Sequence, residues 1–77
     1  MDKREQIKEK EIEIRELINA LTATSSKYGD YHIIKVYEAR LIGEPDPYDI
    51  EPIIAKRQEM RARINELQDE IKELENE

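Results

Sequence analysis

Hydrophobic positions recur at three- and four-residue steps in two long stretches of this chain, and a differently composed centre separates them. In the first stretch Ile7, Ile14, Leu17, Ile18 and Leu21 keep that step while Lys8, Glu9, Lys10, Glu11, Glu13, Arg15 and Glu16 fill the other faces, which predicts an amphipathic helix over residues 2–22. Ile12 lies off the stripe and widens it, as contact with more than one neighbour would require. In the last stretch Ile50, Ile53, Arg57, Met60, Ile64, Leu67, Ile71 and Leu74 alternate without a break. That is a coiled-coil seam and predicts a helix over residues 50–76, a rod of roughly 40 Å. The one polar residue in the seam is Arg57. A cation at an inward heptad position costs stability unless it is paired, so it is expected to fix register or to meet an anion.

The centre, residues 25–49, holds all four tyrosines, the only histidine, both glycines and two of the three prolines. A plain hairpin needs only a short polar turn here. Gly29 reads as a stop glycine and Asp30 as the N-cap of a short helix over residues 31–42. On that helix Ile33, Ile34, Tyr37 and Leu41 form one broad side, expected to be buried with Tyr37 as core filler, and His32, Lys35 and Ala39 form the other. Gly43 ends it. Glu44-Pro45-Asp46-Pro47-Tyr48-Asp49 is then a stiff connection, because each proline fixes its own φ and disfavours helix in the residue before it. Tyr48 is expected to pack under the turn as a staple and Asp49 to cap the third helix, with Pro52 harmless in its first turn.

The whole chain, residues 1–77, reads as a single all-α domain: an antiparallel helical hairpin or coiled coil with the short helix folded across one end. Charged residues are 42% of it and aromatics 5%, with no Trp or Phe, so the core of one copy is thin. Small scaffolds compensate with disulfides, metal or association. With no cysteine and one histidine, association into a homo-oligomeric bundle is the expectation, and no cofactor is expected. No apolar run reaches signal-peptide or membrane-span length, which predicts a soluble, unprocessed, cytoplasmic protein. A net charge of −6 argues against duplex nucleic acid as a partner.

The charge is uneven. Lys56, Arg57, Arg61 and Arg63 sit against Glu59 alone, whereas the final stretch is acidic. Tyr31 and Lys35 on the short helix, with Arg57 and Arg61 on the long one, are the candidate ligand-binding residues: a ring to stack on a base and cations to hold phosphate. The plainer alternative is that the arginines pair with Glu38, Glu59 or an acid of the first helix. Gly29, Asp30, Gly43, Pro47, Tyr48 and Asp49 are the candidate structural residues. For enzymatic chemistry the chain has no HExxH, no nucleophile beside a base and no phosphate-cradling glycine loop, which leaves His32 as the only conceivable acid or base. It reads as a non-enzyme.

Gly29-Asp30-Tyr31, Lys35, Tyr37-Glu38, Pro47-Tyr48-Asp49, and Arg57 and Arg61 leading to Ile64-Asn65 and Leu67 together resemble a pattern in a group of small, mostly uncharacterised helical proteins encoded in phages and prophages of gut-type bacteria. The likeness covers about half the chain. It implies one of two roles in the host cytosol: an anti-defence protein that sequesters a phosphorylated or nucleotide messenger at a subunit boundary, or a protein-protein module. The module would be a virion assembly component, or an inhibitor docking a host defence protein through its acidic helices.

Overall fold

The structure, a computed structural model, describes residues 2–77, which form three helices: α1 (Lys3–Thr22), α2 (Asp30–Leu41) and α3 (Ile50–Glu75). All three lie within a residue or two of the helices expected from the sequence. α1 starts where Asp2 accepts a hydrogen bond from the Glu5 backbone N–H at 2.9 Å, the ordinary way an N-cap acid satisfies an orphan donor. α1 and α3 lie antiparallel, with Lys10 against Glu70 at 3.1 Å and Arg63 forked onto Glu13 at 2.7 and 3.3 Å. Exposed pairs of this kind specify register more than they add stability.

The core is divided in two along α3. Leu21, Met60 and Ile64 form one buried cluster, with Ile14, Leu17, Ala20 and Tyr28 packed on it. Val36, Ile50 and Ile53 form the other, with Ile33 and Tyr48 packed on it. Arg57 stands between Ile53 and Met60 on the same face, only 6% exposed. Its Nη1 donates to the carbonyls of Leu21 (3.1 Å) and Tyr28 (2.6 Å), and its Nη2 meets Asp30 Oδ1 at 2.5 Å. One side chain thus ties the end of α1, the intervening loop and the start of α2 to the long helix. A buried guanidinium is tolerable here because its donors find partners.

Residues 23–29 are not a loose tether. Ser26 N–H bonds to the Ala23 carbonyl, Gly29 N–H to the Ser26 carbonyl, and Tyr28 N–H to Ser26 Oγ. Gly29 has φ −73°, so the stop-glycine expectation fails. Its missing side chain matters for another reason: a Cβ there would run into the carbonyl oxygen of Ala23. Gly29 is itself the N-cap position, and Asp30, expected to cap, is the first residue of α2 with its carboxylate turned to Arg57.

Gly43 does what its position suggested. At φ +75° it lets Glu44 N–H reach the Ala39 carbonyl (2.8 Å) and Gly43 N–H reach the Arg40 carbonyl (3.2 Å), a complete Schellman ending. The proline segment, Pro47 included, is then held to α2 by Arg40, which forks onto Asp46 at 2.9 and 2.8 Å. These hydrogen bonds hold the Asp46 carboxyl below, and the Arg40 guanidinium above, their ordinary values. Tyr48 precedes the cap of α3 and packs with Ile53 as expected of a staple. Asp49 occupies the cap position, but its side chain makes no capping hydrogen bond.

α2 is rotated from the sequence expectation: Ile33 packs on the core and Lys35 is exposed as expected, but the other assignments are exchanged. Val36 and Ala39 are buried, with Ile33 and His32 beside them, while Ile34 (53% exposed), Tyr37 (63%) and Leu41 (67%) point away. Tyr37 is therefore not core filler. Val36 brings α2 against Ile50 and Ile53, and Asp30, one end of the Arg57 tie, fixes the rotation of its first turn. Ile12 and Ile18 of α1 also remain largely exposed, so one copy does not cover the widened stripe.

Candidate functional site

The concave feature of the elbow is a groove of about 660 Å³ between residues 27–32 and the first turns of α3. Its walls are Tyr28, His32, Tyr48, Pro52, Ile53 and Ala55, and its rim carries Lys27, Lys56, Asp49 and Glu59. The volume is that of an ordinary ligand cleft, predominantly apolar with a few charges around it.

Each wall residue is placed by a local rule. Tyr28 ends the loop whose carbonyl Arg57 holds, and packs on the α1–α3 core. His32 lies one turn into α2, and its ring stands 4.5 Å from that of Tyr48, tilted by 60°. Tyr31 meets the same imidazole edge-on at 5.9 Å. Pro52 sits in the first turn of α3, where a missing N–H leaves no bond unmade. Among the described residues the His32 Nδ1 is buried without a hydrogen-bond partner, a polar atom left over in a fold that satisfies its others.

The four residues expected to bind an anion do not converge. Tyr31 and Lys35 come together, the ammonium lying 5.7 Å from the ring centroid. Arg57 is inside the protein with three of its five N–H donors given to Leu21, Tyr28 and Asp30. Arg61 is exposed on α3 and makes no ion pair among the described residues. Arg57 instead meets the separate expectation for an inward cation, that it encounters an anion, the acid being Asp30; none of the acids named for the arginines in the alternative reading is its partner. That alternative does describe the neighbouring Lys56, which lies 3.9 Å from Glu59, and Arg63 on Glu13, whose hydrogen bonds hold that carboxyl below the usual carboxylate range.

Sequence reasoning picked out the aromatic centre but not its division. Tyr28, His32 and Tyr48 face the groove, whereas Tyr31, Lys35 and Tyr37 are exposed. The four-residue spacing of Tyr28 and His32 and the staple position of Tyr48 were the available signals. Lys27, Ala55 and Lys56 carried none. Among the described residues no group of three His, Cys, Asp or Glu could hold a metal ion, and no helix is long and apolar enough to cross a membrane.

No protein-family model, curated protein or solved structure matches this chain.

Proposed function

We propose that this chain is a non-enzymatic, cytoplasmic binding module of the phage-encoded type, whose elbow groove receives an apolar side chain from a host or virion protein. The observation that carries this reading is the groove itself: an apolar floor of rings and Ile53 under a rim of two cations and two carboxylates. A balanced rim suits a peptide segment, whose flanking residues bring charges of both signs. It does not select a polyphosphate, which would meet Asp49 and Glu59 as well as the lysines.

Of the two roles suggested by the sequence, protein docking is favoured over messenger capture for a second reason. Arg57, the inward cation that motivated a phosphate site, is taken up by two carbonyls and Asp30. Sequestration of a nucleotide messenger keeps one observation in its favour, the three rings and two lysines that line the same groove. A planar aromatic ligand would stack there.

A photo-reactive residue placed at the exposed Lys27 position on the rim tests both. The expected product is a stoichiometric crosslink to one protein from the host lysate or from virions, lost in Ala55→Arg while the melting temperature stays unchanged. Absence of any such product, or its persistence in Ala55→Arg, overturns the docking reading. Calorimetric heat with cyclic oligonucleotides, abolished by the same substitution, would assign the groove to a messenger instead.

A further inference from the structure

The outward face of α2 has no function in the fold described so far. Ile34, Tyr37 and Leu41 follow one another at steps of three and four along it, and Ile42, 70% exposed, extends the patch just beyond the helix end. Each is more than half exposed, whereas only eight hydrophobic residues are buried among the described residues. Single exposed apolar residues are ordinary, but a contiguous stripe marks a contact surface.

We infer that this stripe is the interface of a homodimer in which α2 packs antiparallel against α2 of a second copy, about a twofold axis near Tyr37 and Glu38. Three observations select a second copy of this chain as the occupant. The stripe is self-complementary: antiparallel pairing places Ile34 on the partner's Leu41 and brings the two Tyr37 rings together at the axis. An isologous contact requires this property of a single patch.

The charges beside the stripe are self-complementary too. Lys35 and Glu38, one turn apart, each lack an ion-pair partner among the described residues, and Lys35 is engaged only by the face of Tyr31. With Ile34 level with the partner's Leu41, Lys35 is displaced by two residues, about 3 Å, from the partner's Glu38, a gap its four-carbon stem spans, so the pairing makes two diagonal bonds at once. The acidic run from Glu66 to Glu77 lies at the far end of α3 from the residues that α2 packs on, Ile50 and Ile53. Joining elbows therefore keeps the most negative ends of two chains of charge −6 apart.

The area suffices. At roughly 150–200 Å² for a large side chain, the exposed parts of Ile34, Tyr37, Leu41 and Ile42 offer about 400 Å² per copy. With flanking atoms of Tyr31, Lys35 and Glu38 the pair reaches about 1,000 Å² in total, the lower end of specific interfaces. This face is separate from the elbow groove, so its fate does not decide the docking proposal.

Sedimentation velocity of the full chain from about 1 to 500 µM tests the inference. The expected result is a shift from the 9.2 kDa monomer to twice that mass within this range. Leu41→Glu should raise the dissociation constant at least 100-fold, with helical circular dichroism and melting of the monomer retained because the residue is outside the core. Lys35→Glu should weaken the dimer, and Lys35→Glu with Glu38→Lys should restore it. A wild-type chain still monomeric at 500 µM overturns the inference, as does a dimer indifferent to Leu41→Glu. A monomeric wild type that captures a foreign protein only through an intact Leu41 would give the face to a different partner and equally overturn self-association. Crosslinking from position 27 reads the groove independently in every case.

Discussion

Replacing the buried Arg57 by Met should do more damage than replacing any exposed charged residue of this chain. The substitution keeps the length and apolar stem of the side chain and removes three hydrogen bonds, to the Leu21 and Tyr28 carbonyls and to Asp30. Bonds from a charged donor contribute about 1.5–3 kcal/mol each, and a buried acceptor left unpaired costs about 1–3 kcal/mol. Asp30 is 48% exposed on its side chain, so water recovers much of its loss and its share is discounted for screening. The two carbonyls dominate. Allowing for the favourable burial of a methionine, a net loss of about 3 kcal/mol is expected, against a total stability of about 4–12 kcal/mol for a domain of this length.

Urea and thermal unfolding followed by circular dichroism would read this loss as a fall in melting temperature of about 12 °C or more. Hydrogen exchange localises it. Amides of residues 23–32 should lose protection before those of the α1–α3 zipper, because Arg57 ties only the elbow to the long helix. Asp30→Asn should cost less than half as much. If Arg57→Met melts within about 0.5 kcal/mol of wild type, with residues 23–32 equally protected, the guanidinium is not the joint of the two core clusters. The divided core described above would then need another explanation.

Gly29→Ala should cost about 1–3 kcal/mol, because its Cβ must displace the Ala23 carbonyl; Gly43→Ala should cost about 1 kcal/mol through its positive φ alone, since nothing lies near that Cβ. Equal melting of Gly29→Ala and wild type would refute the close approach. Asp49→Ala should change stability by less than about 0.5 kcal/mol because no capping bond is lost, whereas Asp2→Ala removes the bond to Glu5 N–H and should cost about 1 kcal/mol in the helix it starts. The Glu13 carboxyl is held below its unfolded value of 4.5 by Arg63, so its contribution is present above that pH and disappears as the pH falls through the lower folded value. Unfolding titrations should therefore show a shallower acid loss in Glu13→Gln than in wild type. An unchanged acid limb would mean that the Arg63–Glu13 fork is open in solution.

How much of this was legible beforehand follows from the range of each interaction. The three helices, the Schellman glycine at 43, the staple at Tyr48 and the inward heptad position of Arg57 all depend on residues within a few positions of one another, and the pattern along the chain contains them. The partners of Arg57 do not. Two are backbone carbonyls, which every residue has, and no composition or spacing marks the ones that are used. Gly29 shows the same limit: its identity signalled a backbone requirement, but a close approach across six residues replaced the left-handed turn that a glycine usually implies.

The four anion-site candidates were placed on the right elements and then separated by the packing. Lys35 and Tyr31 stayed at the surface together, Arg61 stayed at the surface alone, and Arg57 was drawn inside. The groove formed from Tyr28, His32 and Tyr48, which lie on three different segments, could be assembled only by the turn between α1 and α2 and the stiff return to α3.

Alone, the order of residues determined an all-helical chain, two long amphipathic rods, and a centre with more in it than a turn requires. It could not determine which side of α2 faces inward, because that helix is apolar on both sides and a hydrophobic pattern distinguishes sides only when one is polar. The tertiary structure decided it by size and by a charge: Val36 is small enough to bring α2 against Ile50 and Ile53, and Asp30 must reach Arg57. The larger residues Ile34, Tyr37 and Leu41 were left in solvent, where a second copy can cover them.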